Sequence, residues 1–285
     1  MMKQINNCAT IQKINKDFYC VLSTGAVKEY EHYDTRADDT KGVRSTLDRL
    51  RGIINCNVTE PQNCKFVTLT YAENMIDRQK LYIDRKNYWR RFKAYCKQTG
   101  ISEPQYISVL EPQGRGAFHL HELYIWAEKA PYIPNEDIWL CWSPIGHQNG
   151  KDFVKTKGVN NCDNIGAYFS AYLADMPLNE YEALQDTEKI NSYLDIQEKE
   201  FPDEDGNVKK KKFIKGGRLH LYPSGVNIYR TSKGIVMPQY EYTSYKKAKE
   251  KVSGATETFS QTFVISDDSR DFTNEITKVY YNSLR

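Results

Sequence analysis

The spacing of apolar and polar positions changes several times along the chain, and each change marks an element. Between residues 41 and 55, Val43, Leu47, Leu50, Ile53 and Ile54 recur at helical spacing. Phe66-Val67-Thr68-Leu69-Thr70-Tyr71 is β-branched and aromatic, which predicts a strand. The spacing over 78–97 predicts a helix with Leu81, Tyr88, Phe92 and Tyr95 on one stripe. Strand patterns at 106–111 and 117–126 flank Gly114-Arg115-Gly116, a three-residue hairpin loop. A short helix over 135–142, a strand at 153–157 and a helix over 165–176 follow. Upstream, runs at 17–22 and 27–32 flank Ser23-Thr24-Gly25 and predict a second hairpin. Beyond Pro177 the chain is polar and acidic as far as Glu204, and 209–218 holds six basic residues and reads as a loop. The tail carries strand-like runs at 218–222, 227–230 and 256–265 and a helix over 243–252. The expected fold is α+β, a central antiparallel sheet flanked by helices. Residues 1–60 form an N-terminal extension, 61–178 the central domain and 179–285 a C-terminal α+β extension.

Composition narrows the class. Hydrophobic residues make up 40% and charged residues 27% of the 285, enough for an ordinary globular core. The 21 tyrosines suit half-buried packing and base stacking alike. A formal charge of +3 does not by itself demand nucleic acid, so the distribution of charge matters more. The seven cysteines form no Cys-x-x-Cys pair and no zinc spacing, which predicts reduced thiols in a cytoplasmic protein. No run approaches the ~18 apolar residues of a membrane span, so no membrane association is expected. No Gly-x-x-x-x-Gly-Lys-Ser/Thr motif is present, which excludes a P-loop helicase in this chain.

His119-Leu120-His121 is the strongest chemical signal. Residues two apart on a strand share a face, so both imidazoles project side by side and can share one cation. With a three-residue loop, Glu111 falls opposite His119 and joins them; a two-residue loop would flip the parity and remove it. Glu111 capping the hairpin or pairing with Arg115 is the other reading. Glu122 takes the opposite face. The histidines are expected to open to solvent. On the helix over 165–176, Tyr168 and Tyr172 lie one turn apart with Asp175 below, while Phe169, Leu173 and Met176 form a packing stripe.

Phe66–Tyr71, Phe118-His119-Leu120-His121 and Tyr168-x-x-x-Tyr172, in that order, resemble the three motifs of HUH-type rolling-circle replication initiators. The resemblance covers about residues 45–235. It is nearest to the two-tyrosine branch found in small plasmids and phages of Firmicutes. It implies a DNA-nicking and -joining endonuclease. Glu111, His119 and His121 would hold a divalent metal, Mn²⁺ or Mg²⁺, and Tyr168 or Tyr172 would attack the scissile phosphate. The products would be a 5′-phosphotyrosine and a free 3′-OH. Implied partners are single-stranded origin DNA and the host helicase and polymerase. Thr68, Thr70, Arg115, the basic helix over 78–97 with Arg90, and the 209–218 run would grip DNA. Many family members carry Lys three residues after the tyrosine; here Ala171 and Asp175 stand at those positions, so another cation must serve the leaving oxygen. A relaxase or transposase with the same chemistry, a non-catalytic origin-binding domain and a water-activating metal hydrolase are the competing readings.

Overall fold

The structure, a computed structural model, describes residues 11–33, 35, 38–143, 154–159, 165–182, 196–202, 208–267 and 272–283. The order is β1 (Ile11–Lys13), β2 (Phe18–Val21), β3 (Ala26–Glu29), α1 (Thr40–Asn57), β4 (Cys64–Leu69), α2 (Arg78–Thr99) and β5 (Gln105–Pro112). Then come β6 (Phe118–Ile125), α3 (Asn135–Trp142), β7 (Val154–Gly158), α4 (Ile165–Ala174), β8 (Met176–Pro177) and α5 (Leu178–Glu182). The remainder is β9 (Ile196–Pro202), β10 (Val208–Ile214), β11 (Tyr229–Thr231), α6 (Tyr245–Lys251), β12 (Thr256–Asp267) and β13 (Phe272–Asn282). The chain divides into two compact units that interleave in sequence. One takes Met1–Thr46, Pro112–Gly116 and Ala174–Asn227, the other Leu47–Glu111, Ala117–Leu173 and Ile228–Arg285.

The second unit holds the five-stranded antiparallel sheet, ordered β11-β5-β6-β4-β7. As the sequence predicts, helices flank it. Val67, Leu69, Leu120 and Tyr124 point to one face and join Leu81, Tyr88, Trp89 and Phe92 of α2 and Ile138 and Trp142 of α3 in one core. Each fully buried side chain of this size contributes roughly 1.5–3 kcal/mol. Helix α2 starts where the Asp77 carboxylate accepts from the amides of Gln79 (2.8 Å) and Lys80 (3.1 Å). It stops at Gly100, whose φ of 73° is left-handed. On the other face, α4 meets the sheet through Phe169, whose ring stands edge-on to Phe66 at 4.9 Å and 82°. Gly166 lets α1 and α4 close on one another: a Cβ there would come 3.1 Å from the Arg51 carbonyl oxygen.

Not every basic residue of α2 faces solvent. Arg85 turns inward beneath the sheet, where its Nε donates to Glu122 Oε1 (2.9 Å) and to Ser108 Oγ (2.8 Å), and its guanidinium lies 4.8 Å from the Tyr106 ring centroid. Burial works against the Arg85 charge, and the Glu122 carboxylate outweighs that, holding the guanidinium above its ordinary range. Glu122 does take the face opposite the histidine site, and there it is the buried counter-ion of Arg85. Arg85→Leu strands that carboxylate and is expected to cost about 3–5 kcal/mol in urea unfolding, whereas Arg85→Leu with Glu122→Leu recovers most of the loss. Equal stability of the single and double variants would mean that the pair does not carry the charge balance.

In the first unit, β1-β2-β3 form a small antiparallel sheet and β8-β10-β9 another. The 209–218 run is not a loop: β10 pairs with β9 so that Lys210 faces Glu200 and Lys212 faces Glu198. Alternating opposite charges replace the apolar alternation that marks most strands. Arg218 is buried and bidentate on Glu180 (3.0 and 2.6 Å), and it donates to the carbonyl of Pro112 at 2.9 Å. It ties the β5–β6 turn to α5, where Gly114 N donates to Glu180 at 2.6 Å. Residues 219–221, expected as strand, form a 3-10 turn instead.

Candidate active site

The central strands bring part of the expected cluster together. His121 sits directly across from Thr68 in the β4–β6 register. Its Nδ1 lies 3.1 Å from Thr68 Oγ1, and its Nε2 meets Glu111 Oε2 in a short hydrogen bond. The Phe66 ring stacks on the imidazole at 5.2 Å and 13°. His121 is 1% and Glu111 2% exposed, so this end of the site is buried rather than open to solvent. The closed face is the work of Phe66 and Phe169, which cover the imidazole from the α4 side. His119 is half-buried two residues earlier on the same face. Among the described residues, no three His, Cys, Asp or Glu side chains are gathered tightly enough to grip an ion unaided.

The hairpin explains the parity. Strands end at Pro112 and resume at Phe118, so five residues, not three, make the connection. Gly116 N donates to Gln113 O at 2.8 Å, and Gly116 takes a φ of 82° that favours glycine. Shortening each strand by one residue lengthens the loop by two and leaves the parity unchanged. Accordingly Glu111 meets His121 on one face while Ser108 donates to Glu122 at 2.9 Å on the other.

The remaining expected residues scatter. Thr70 follows the end of β4, and its carbonyl accepts the Trp142 indole N–H at 2.8 Å. Arg115 is exposed in the turn, its Nε donating to Gln113 Oε1 at 3.1 Å. Arg90 is exposed on α2, which packs on the sheet face away from His121, so it does not belong to this cluster. Tyr168 and Tyr172 occupy α4 one turn apart; their side chains lie outside the described residues. Asp175 follows α4 and is buried, its Oδ1 accepting the Gly216 amide at 3.0 Å.

Two residues escape the sequence reading. Lys155 pairs with Thr68 and Lys157 with Phe66 across the β4–β7 ladder, so both share the face of His121. The period-two lysines in Val154-Lys155-Thr156-Lys157 are the signal that marks them. Other nucleophiles are held inactive. Burial pushes the Cys64 thiol up to about 12 and those of Cys96 and Cys141 up to about 11. It also raises the buried phenols of Tyr71, Tyr88 and Tyr124 well above their ordinary range. No helix among the described residues is long and apolar enough to cross a membrane.

Residues 64–177 match the family model of the replication-associated protein ORF2. No curated protein and no solved structure matches the chain. The matched span runs from β4 to β8 and contains Glu111, both histidines, Lys155 and the two tyrosines of α4.

Proposed function

We propose that this chain, whose central span is similar to replication-associated proteins, is a rolling-circle replication initiator of the HUH type in its two-tyrosine branch. It cuts one DNA strand and stays joined to the 5′ end. The carrying observation is the Glu111–His121–Thr68 cluster on the sheet face covered by the tyrosine-bearing helix α4.

His119, His121 and Glu111 are the residues that would hold a divalent ion. Two imidazoles and a carboxylate fit Mn²⁺ better than Mg²⁺, which prefers oxygen alone. The Thr68 contact also fits, because a ligating imidazole commonly bonds a protein partner through its other nitrogen. Bound there, the ion would supply Lewis-acid polarisation of the scissile phosphate. The chain's own residues do the rest. A tyrosine oxygen of α4 forms the new bond to phosphorus as the bond to the 3′ oxygen breaks, and the phenol proton passes to solvent. Lys155 stands where it can give a proton to the departing 3′ oxygen, the task that Ala171 and Asp175 cannot perform. Thr68 holds the His121 ring, and Phe66 prevents it from swinging out. The 3′-OH then primes a host polymerase, and a host helicase must unwind the duplex.

The test is incubation of the full chain with single-stranded oligonucleotides from its own replicon origin and Mn²⁺. A covalent protein–DNA adduct and an extendable 3′ end are expected. In the same assay Lys155→Ala should slow cleavage about a hundredfold, the size of a lost general acid. A released 5′-phosphate without an adduct would make the protein a water-activating hydrolase. Binding without cleavage would make it an origin-binding domain.

A further inference from the structure

The last two strands form a ribbon of their own. β12 has 12 residues and β13 has 11, and they pair only with each other. A lone two-stranded hairpin is marginally stable in water. The register sorts its side chains sharply. Phe259 faces Tyr280, Phe263 faces Ile276, and Ile265 and Phe272 continue the same side. These six side chains are 36–50% exposed. The Arg51 guanidinium lies 6.0 Å from the Tyr280 ring centroid at one end of this side. The reverse side is largely Ser and Thr, with Thr262 and Thr277 hydroxyls 2.9 Å apart. The ribbon is therefore amphipathic, and its apolar side stays open to solvent.

We propose that this side is an isologous contact between two copies of the chain. Three observations support a second copy over nucleic acid. First, β12 and β13 carry Glu257, Asp267 and Glu275 against a single Lys278, a balance that repels phosphate. Second, the six side chains leave on the order of 500 Å² of apolar surface open per protomer, given 150–250 Å² for each aromatic group. Two copies face to face would cover about 1,000 Å², the size at which a specific contact becomes stable. Third, the charges are self-complementary. A two-fold axis crossing the ribbons midway between Phe263 and Ile265 lays them antiparallel, and the Phe263 row meets the partner's Ile265 row. The same operation brings the Gln261–Lys278 row onto the partner's Asp267–Phe272 row. Each Lys278 thus finds an Asp267 across the contact, twice per dimer. This contact does not depend on the nicking reaction.

Sedimentation equilibrium on the full chain tests it. The wild type should reach twice the chain mass, and Phe263→Asp, a change on an exposed side chain, should remain monomeric and folded. Lys278→Asp and Asp267→Lys should each weaken the dimer about tenfold or more by placing like charges together. An equimolar mixture of those two variants should recover wild-type association, because each supplies the charge that the other needs. A wild type that stays monomeric, or a Phe263→Asp variant that still dimerises, overturns the proposal. A mixture no tighter than its components overturns it too. Protection of the ribbon only when an oligonucleotide is added would assign the face to nucleic acid instead.

Discussion

His121→Ala is expected to abolish adduct formation and to lower stability in the same variant. The imidazole bridges Glu111 and Thr68 and stacks on Phe66, all within the sheet. Removing it leaves the Glu111 carboxylate buried without its partner, a loss of about 3 kcal/mol by analogy with other broken buried pairs. Cleavage should fall by more than about a hundredfold, since a lost ligand costs at least as much as a lost supporting contact. Two companion variants separate the effects. His119→Ala, at a half-buried position, should lose the adduct with a smaller shift in melting temperature. Glu111→Gln should weaken Mn²⁺ binding about tenfold or more by calorimetry, a readout that does not depend on cleavage. Full cleavage by His121→Ala, or unchanged Mn²⁺ affinity in Glu111→Gln, would sink the metal assignment.

Much of the frame is legible because the central elements obey simple periods. Phe66–Leu69 and His119–Ile125 alternate, α2 carries an apolar stripe, and Asp77 and Gly100 punctuate its ends. The parity that puts Glu111 beside the histidines depends only on whether the loop is odd or even, so it holds for three residues or five. Where sequence and structure part, the causes are physical. A basic residue on a helix reads as solvated, yet Arg85 finds Glu122 across the sheet, a pairing that no local pattern announces. The lysine run reads as a loop because its alternation is electrostatic, Lys against Glu on a neighbouring strand. β13 is not legible alone because its partner, not its composition, makes it a strand. Spacing along β6 opens both histidines to solvent; the aromatic cover from Phe66 and Phe169 depends on how α4 lies over the sheet, which sequence spacing does not state. Lys155 emerges only when the β4–β7 register places it beside Thr68.

That placement of α4 also frames the second large effect. Phe169 packs on Phe66, and Phe66 stacks on His121, so the helix is held in register with the imidazole through two rings. Tyr168 precedes Phe169 directly, and Tyr172 follows one turn later, about 6 Å along the axis. A replication cycle on the proposed pathway needs two cleavages, one to begin and one to end. An enzyme still bonded to its first product needs a second nucleophile within reach, and a neighbouring tyrosine supplies it without dissociation. Tyr168→Phe and Tyr172→Phe should therefore each retain part of the cleavage of an oligonucleotide, while the double variant forms no adduct. The trapped peptide, read by mass spectrometry, identifies which phenol carries the 5′-phosphate in each single variant. Should one single variant lose all cleavage and the other keep all of it, the two are not interchangeable. The second cut would then have to come from the other protomer of the ribbon dimer or from a fresh molecule. Mixing a Tyr168→Phe/Tyr172→Phe chain with wild type at dimer-forming concentration distinguishes these sources, because only donation within the dimer would let the inactive chain slow termination.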